Sequence, residues 1–411
     1  MQRERDERAS GVVAAGGDLH MHIVAYESDP RRRLVCVGYG AVMESTESPV
    51  LPHYGNGCID GVVPALLRGE ANDWLPEPVK GSRCVVMLVL DGLGSAIIDE
   101  NRSLLPELAA MDGGSITTVV PSTTATALTS LTTGLSPAEH GIVGYRQRAE
   151  GEVLNTLRWR TDSGRRAPEP FMVQRHTPFL GREVPVVTRS EFRTTGFTDV
   201  HLRGAPFMGW STIAVLVEQC RALVAQRRQL IYSYYPGVDT VAHEFGLHSP
   251  YFFAEISFAD ELVGRLLDVL SPDVTLLVTA DHGQVHVGER WLGLDPLGDL
   301  VASCSGEGRF RWVTAPRGGA AALSEAARER FGGDAWVMER DELLEGGWLG
   351  PKPASSNIRR RLGDVVLAAK GTAAFVDPQF PGEANLVGAH GSFTAAEMYV
   401  PLLAARGRAS K

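Results

Sequence analysis

The stretch CVVMLVLDGLG, residues 84–94, decides the fold class of this chain. Its first part is uniformly apolar and rich in valine, a pattern typical of a strand that is covered on both faces. The turn sequence DGLG follows at once. The stretch therefore predicts a buried strand of an α/β protein, and this strand delivers Asp91 at its carboxyl end.

Three further strands are predicted to end in polar residues. SITTVV (115–120) runs into PSTT, QLIYSYY (229–235) is followed by PGVDTVAH, and VTLLVTA (274–280) is followed by DHGQ. Helices are predicted between the strands, among them TATALTSLTTG, which Gly134 would end. This alternation predicts a doubly wound, mostly parallel sheet with helices on both faces. Ligands bind beyond the carboxyl ends of such strands, so we expect the four polar segments to meet there.

One catalytic domain with additional segments is expected. Residues 1–48 have mixed charge and no clear period, which is typical of a poorly ordered N-terminal extension, and Met43 is an alternative start. The predicted catalytic domain covers residues 49–405. Within it, residues 146–229 are rich in Arg, Pro, Gly and Thr, and they predict a cap inserted over the active site.

Composition limits the partners and the compartment. The 411 residues carry a formal net charge of -9, which disfavours binding to nucleic acid duplexes because that requires a basic surface. An anionic substrate would need bound cations to offset this charge. No apolar run approaches the ~20 residues that span a bilayer, and the N-terminal region lacks the apolar core of a signal peptide. The sequence predicts a cytoplasmic enzyme without a membrane partner and leaves the oligomeric state open.

The polar segments contain the ligand types of a metal site that mixes nitrogen and oxygen donors. Asp239 and His243 are four residues apart, so one helical turn would place both on one face. In GAHGS, the glycines beside His390 let the backbone come close to a ligand. The candidate ligands exceed the needs of one tetrahedral ion and suit two: Asp91, Thr124, Asp239, His243, Asp281, His282 and His390.

A threonine of the PSTT segment is the candidate nucleophile. A threonine hydroxyl attacks only when a base or a metal ion activates it. VPSTTATAL contains no histidine or lysine, which favours activation by a metal ion. Thr123 and Thr124 are both open at this stage, and a plain helix cap is the alternative role for either residue.

Five motifs in a fixed order give the chain a resemblance to a known family. They are VLDGLG, PSTTATALTSLTTGLSPAEHGIVGY, DTVAHEFGLHS, TADHGQ and GAHGSFTAAEM, and they span about residues 84–405. The chain resembles the nucleotide pyrophosphatase/phosphodiesterase family of the alkaline phosphatase superfamily. The resemblance implies a two-metal hydrolase that cleaves phosphodiester or pyrophosphate bonds in a small phosphoester substrate, for example a nucleotide.

The same resemblance implies a role for each site residue. One Zn²⁺ would be held by Asp239, His243 and His390, and the other by Asp91, Thr124, Asp281 and His282. Thr124, three residues after the proline, would attack phosphorus to give a phosphothreonine intermediate that water hydrolyses. Zinc is preferred on ligand type, and manganese and iron are alternatives at aspartate-rich sites.

One position departs from the family, and several functions stay open. Diesterases of the family carry an asparagine three residues after the nucleophile, where this chain has Ala127, so the preference for diesters over monoesters is open. Phosphomonoesterases, phosphonate hydrolases and sulfate ester hydrolases of the superfamily are alternatives. A phosphomutase and a non-catalytic nucleotide-binding member are two more.

Other polar residues near the motifs are interpreted as structural. His140 is expected to fix a turn, Glu244 to lie on a solvated helix face, and His248 to lie outside the ligand set. The arginines of 158–166 and 182–193 are equally consistent with contacts to an anionic substrate and with a solvated surface.

Overall fold

The computed structural model describes residues 47–69 and 72–409. The predicted N-terminal extension lies outside these residues, except for Glu47 and Ser48. The strands of the described residues form one large sheet and four small ones. In chain order they are β1 (Cys84–Leu90), β2 (Asp112–Thr117), β3 (Arg146–Ala149), β4 (Glu152–Asn155), β5 (Arg160–Thr161), β6 (Val186–Arg189), β7 (Phe207–Trp210), β8 (Leu230–Tyr235), β9 (Val274–Thr279), β10 (Val285–His286), β11 (Trp291–Gly293), β12 (Ser303–Glu307), β13 (Phe310–Thr314), β14 (Ala335–Glu339), β15 (Val365–Ala369), β16 (Ala374–Val376), β17 (Gly388–Ala389) and β18 (Tyr399–Arg406).

Helices connect and flank these strands. The α-helices of the described residues are α1 (Ile59–Arg68), α2 (Ser95–Glu100), α3 (Pro106–Ala109), α4 (Thr124–Thr133), α5 (Pro137–His140), α6 (Pro170–Val173), α7 (Gly196–His201), α8 (Ile213–Val224), α9 (Gly237–Phe245), α10 (Pro250–Val269), α11 (Ala320–Phe331), α12 (Arg340–Glu345), α13 (Ser356–Arg359) and α14 (Ala395–Met398). Short 3₁₀ segments lie at Glu77–Val79, Pro178–Gly181, Ser190–Thr194, Asp295–Leu300 and Pro381–Asn385.

The large sheet has seven strands in the order β2-β18-β9-β1-β8-β6-β7. The five strands from β9 to β7 are parallel, and β18 runs antiparallel to both of its neighbours. Every residue of β1, β8 and β9 is buried, which requires cover on both faces of the sheet. The predicted mostly parallel α/β fold is therefore confirmed.

Element boundaries differ most from the prediction at the sheet edge. β2 was expected at 115–120 and spans Asp112–Thr117. Among the strands of the described residues it pairs with β18 alone, and its first four residues are exposed, so apolarity does not mark where it begins. The helix predicted after PSTT is α4, and Gly134 ends it in the left-handed conformation (φ 71) as expected.

The segment 146–229 has two structural parts. β3, β4 and β5 form a small antiparallel sheet, whereas β6 and β7 extend the large sheet beyond β8. The predicted cap segment thus contributes to the central sheet as well. β6 and β7 are only four residues each, which is too short for their periodicity to stand out among the surrounding prolines and arginines.

A second antiparallel sheet follows the large helix α10. Its order is β12-β13-β15-β14, and it carries its own apolar cluster, which includes Phe310 and Trp312. Arg309, in the turn between β12 and β13, is fully buried and donates from Nε and Nη2 to the two carboxylate oxygens of Glu397 at 2.7 and 2.8 Å. This ion pair ties the second sheet to the segment that carries His390.

Candidate active site

The predicted site residues come together at the carboxyl ends of the central strands. Asp91 follows β1, Asp239 lies in the first turn of α9 after β8, and Asp281 and His282 follow β9. The Asp91 and Asp239 segments are joined directly, because the Asp239 N–H donates to the Asp91 carbonyl at 3.0 Å. Gly92 turns the chain with φ 75, and its N–H donates to Asp281 Oδ1 at 3.2 Å.

One part of the site is centred on Nε2 of His282. This atom lies 3.1 Å from Thr124 Oγ1, 3.4 Å from Asp91 Oδ1 and 3.5 Å from Asp281 Oδ2. The histidine and both carboxylates are buried. Four side chains from three separate chain segments therefore converge on one small volume.

The second part is centred on Asp239. Its Oδ1 lies 3.3 Å from His243 Nε2 and 3.7 Å from His390 Nε2. The rings of His282 and His390 stack with centroids 3.6 Å apart, so the two parts are continuous. Asp239 belongs to both of two potential ligand triplets, one with His243 and His390 and one with Asp91 and His282, and within each the donor atoms lie within 4.8 Å of one another.

The backbone orients all three histidines in the same sense. Nδ1 of His243 lies 2.7 Å from the Gly388 carbonyl, Nδ1 of His390 lies 2.9 Å from the Ser122 carbonyl, and Nδ1 of His282 lies 3.1 Å from the Gly283 carbonyl. A carbonyl oxygen only accepts, so each Nδ1 must carry the proton and donate it. The neutral ring then presents the Nε2 lone pair to the cluster, which is how metal-binding histidines are held in proteins.

The buried carboxylates of Asp91 and Asp281 need positive charge beside them to be stable in their ionised form. Burial, followed by the charges of Asp281 and Asp239, raises the pKa of Asp91 well above its usual value, and burial is also the main cause that raises the pKa of Asp281. Asp91 Oδ1 and Asp281 Oδ2 are buried without a hydrogen-bond partner. Uncompensated buried charge is costly, and divalent cations would remove that cost. The donor set therefore fits divalent metal ions.

The geometry separates the two candidate threonines. Thr123 is the N-cap of α4 and donates its hydroxyl hydrogen bond to Glu307 Oε2 at 2.7 Å. Thr124 is the first residue of α4, and its hydroxyl faces His282. The loop before them is fixed to the His390 segment, since the Ser122 N–H donates to the Gly391 carbonyl at 3.1 Å. Thr124 is the threonine that joins the Asp and His cluster.

A cavity of about 610 Å³ opens from the cluster. Thr124, Asp239, His243 and His390 lie at one end of it. The remaining walls come from the small β3–β5 sheet and from segments around the second sheet, and include Tyr145, Arg146, Asn155, Leu157, Arg158, Asp162, Trp291, Glu307, Phe380 and Glu383. A second, narrower pocket of about 210 Å³ touches Asp91 and Thr124 from the side of Phe192 and Phe197.

Several polar residues of the site were missed by the sequence-based prediction. Tyr234, at the end of β8, donates its hydroxyl hydrogen bond to Asp91 Oδ2. Arg146 is buried in the cavity wall, where Asp162 and Asp377 pair with it at 2.5 and 2.7 Å. Glu307 lines the cavity from the end of β12 and has one oxygen without a partner. For Tyr234, the available signal was its place in the run SYYPGVD directly before Asp239.

Glu307 gives a testable dependence of stability on pH. Burial raises the pKa of Glu307 to about 8, whereas an unfolded glutamate titrates near ~4.3. The free energy of unfolding should therefore fall as pH rises from the lower value to the higher one, by about 1.4 kcal/mol per pH unit from this residue. Glu307→Gln should remove this contribution. The free energy of unfolding of the variant should therefore rise relative to that of the native chain as the pH is raised from 6 to 8.

Denaturant unfolding of chelator-treated protein at the two pH values measures this difference. Glu289→Gln, which changes an exposed glutamate, is the matched control and should follow the native chain. An equal pH dependence in the native chain and the Glu307→Gln variant would contradict the assignment.

The remaining predicted residues fall outside the cluster. His140 is buried, lies 2.8 Å from the Ser130 hydroxyl and accepts the Ile142 N–H on Nδ1, so it fixes the turn after α5. His248 and Glu244 are exposed. Of the arginines at 158–166 and 182–193, Arg158 lines the 610 Å³ cavity.

Ala127 stands where the diesterases of the family carry an asparagine. The side chain of Ala127 is fully buried in the main apolar core and lines neither pocket beside Thr124. The preference for diesters over monoesters, which the sequence left open at this position, stays a question for the substrate panel.

The motifs and their convergence agree with a family comparison. The model of the family "Type I phosphodiesterase / nucleotide pyrophosphatase" matches residues 85–393. The chain belongs to this family. Membership confirms the predicted class, an enzyme that hydrolyses phosphoric ester bonds, and the aspartate and histidine groups fit the metal dependence of that class.

Solved structures support the fold assigned to this phosphodiesterase family member. Murine ectonucleotide pyrophosphatase/phosphodiesterase 5 is 17% identical with a TM-score of 0.62, and the alignment covers 79% of this chain and 88% of that one. Phosphonoacetate hydrolase from Sinorhizobium meliloti, in complex with phosphonoformate, is 18% identical with a TM-score of 0.57, covering 80% of this chain and 91% of that one. No curated protein matches the sequence. Within the described part of the chain, no helix combines the length and apolar character that crossing a membrane requires.

Proposed function

We propose that this enzyme hydrolyses phosphodiester or pyrophosphate bonds in a small phosphoester, with Thr124 as its nucleophile and two divalent ions, zinc by ligand type, as its cofactors. One observation carries the proposal. The Thr124 hydroxyl lies 3.1 Å from His282 Nε2, inside a cluster of three aspartates and three histidines and at the end of a 610 Å³ cavity.

The donor set divides into two groups of ligands. Asp239, His243 and His390 would hold one ion, and Asp91, Asp281, His282 and Thr124 would hold the other. When bound, such ions supply charge that offsets the phosphoryl oxygens and that lowers the pKa of a coordinated hydroxyl or water. This charge also explains how a chain of net charge -9 can take an anionic substrate.

Thr124 carries the covalent step. Its Oγ1 gives up its proton to solvent and bonds to phosphorus, while the bond from phosphorus to the leaving oxygen breaks and that oxygen takes up a proton. Water then attacks phosphorus and gives up a proton, the bond from phosphorus to Oγ1 breaks, and the threonine oxygen takes that proton up. Thr124 is the first residue of the ten-residue helix α4, so backbone N–H groups of the first turn are available to a phosphoryl oxygen.

The cavity favours a substrate with a bulky leaving group. A volume of about 610 Å³ is within the range of sites for ligands of nucleotide size. Tyr145, Trp291 and Phe380 supply aromatic surface for a planar group. Asp162 and Asp377 balance the charge of Arg146. The other arginine that lines the cavity, Arg158, has no carboxylate oxygen within 4 Å among the described residues, so its charge is available to a substrate.

A substrate panel tests this proposal. With zinc-loaded protein, we expect kcat/KM for bis-nitrophenyl phosphate to exceed that for the nitrophenyl monoester by at least about tenfold, because the second ester group fills the cavity. Nitrophenyl sulfate and a phosphonate complete the panel. A clear preference for the monoester, the sulfate or the phosphonate would overturn the substrate class, and phosphate transfer without release of inorganic phosphate would indicate a mutase.

A further inference from the structure

A second large cavity lies apart from the active site. It has a volume of about 670 Å³, shares no lining residue with the active-site cavity, and is bordered by β3, α6 and the segment around α13. Six arginines line it, against one carboxylate from Glu150: Arg148, Arg175, Arg340, Arg359, Arg360 and Arg361. The concentration of cations stands out in a chain whose net charge is -9.

Two of these arginines form ion pairs, and the other four have no carboxylate partner among the described residues. Arg340 pairs with Asp364 at 3.1 Å, and Arg359 pairs with Asp341. Within the described residues, no carboxylate oxygen lies within 4 Å of the other four, which are Arg148, Arg175, Arg360 and Arg361. Arg148 donates to the Thr314 hydroxyl at 3.3 Å, and Arg361 donates to the Gly141 carbonyl. In the described part of the chain, the positive charge of this cavity is therefore largely unpaired.

Burial and the neighbouring positive charges lower the pKa of two groups in this region. Burial, and after it the charge of Arg175, lowers the pKa of Arg361. The neighbouring His140 has its pKa lowered well below the usual value, first by burial and then by His176 and Arg361. Arginine stays protonated in proteins, so the cavity holds an excess of positive charge at neutral pH. Part of that charge lies in a half-buried position, where an anion offsets it most effectively.

We infer that this arginine cavity is a second binding site, for a small anion that carries two or more phosphate groups. A guanidinium matches two phosphate oxygens at once, and several guanidinium groups around one concave volume suit a chain of linked phosphates. The volume is that of a small-molecule site. The inference concerns a region outside the proposed catalytic machinery and does not depend on it.

Anionic membranes and RNA are the competing occupants. Phe171 and Met172 are about half exposed beside the cavity, as a membrane-contacting edge would be. A membrane or a nucleic acid strand, however, contacts an extended surface, whereas these arginines border a concave volume. The concave shape favours a free oligophosphate.

Titration calorimetry of the full, zinc-loaded chain with inorganic tripolyphosphate tests the inference. The native chain should show saturable binding at this site, and Arg175→Gln/Arg361→Gln should weaken it by at least about tenfold. Arg175→Gln/Arg360→Gln, which changes two exposed side chains, should have the same effect if the first variant folds poorly. All variants should hydrolyse bis-nitrophenyl phosphate as the native chain does.

Arg165→Gln/Arg166→Gln is the matched control. It removes the same number of charges from exposed arginines outside the cavity, which pair with Glu152 and Glu169, and should bind tripolyphosphate normally. Binding at the catalytic ions would persist in the arginine variants and disappear in Asp281→Asn. The inference would be overturned if the control weakened binding equally or if no arginine-dependent binding were found. It would also be overturned if RNA or phosphatidylserine vesicles bound more tightly and tripolyphosphate did not displace them.

Discussion

Thr124→Ala should lower kcat for the preferred ester by at least about 10³-fold. The variant lacks the hydroxyl that we propose forms the covalent bond. The N-cap of α4 is Thr123, so the change should leave this helix folded. Three of the four proposed ligands of one ion, Asp91, Asp281 and His282, stay in place, so metal content at saturating zinc should be that of the native chain. Steady-state kinetics together with metal analysis measure both quantities.

Thr123→Ala is the matched control for the nucleophile. It removes a hydroxyl one residue away, together with the hydrogen bond to Glu307, and should retain activity within about tenfold of the native rate. Acid quenching during turnover should trap a phosphoryl group on the peptide that contains Thr124, and mass spectrometry can locate it. If Thr123→Ala is inactive while Thr124→Ala turns over normally, the assignment of the two threonines must be reversed.

The convergence of these side chains could be predicted from the sequence because their positions depend on strand ends. Asp91, Asp239 and Asp281 each follow a strand of the parallel core, and the carboxyl ends of such strands lie at one edge of a sheet. Burial on both faces made these strands recognisable as uninterrupted apolar runs. Their convergence is a consequence of the topology, which the alternation of elements already indicated.

Two polar residues that reach the site from the smaller sheets could not be predicted. Glu307 enters from β12 of the second sheet, and Arg146 enters from β3 of the small sheet. Their positions depend on packing between elements far apart in the chain, such as the buried pair of Arg309 and Glu397, and no local periodicity reports such packing. For Ala127 the spacing from Thr124 was known from the sequence, but the direction of its side chain into the core was not.

Removal of metal ligands should separate the two parts of the cluster. The native chain should bind two zinc ions, and His390→Ala should bind only one tightly. His390 lies beside Asp239 and the backbone of Ser122, and it is a proposed ligand of the ion at Asp239 but not of the ion at Asp91 and Asp281. Activity should fall by at least about 10³-fold, since the charge of both ions is needed at the phosphoryl group. Metal analysis of dialysed protein and kinetics at saturating zinc measure the two effects.

His248→Ala is the matched control for the metal ligands, because His248 is an exposed histidine near His243 whose ring faces His286 instead of the cluster. It should keep two ions and full activity. Chelation should inactivate the native chain and added zinc should restore it, whereas His390→Ala should not recover at any zinc concentration at which the native chain is saturated. If His390→Ala still holds two ions and turns over normally, the assigned ligand set is wrong. The Nε2 lone pair of His390, which the hydrogen bond to the Ser122 carbonyl orients in the native chain, would then bind no cation.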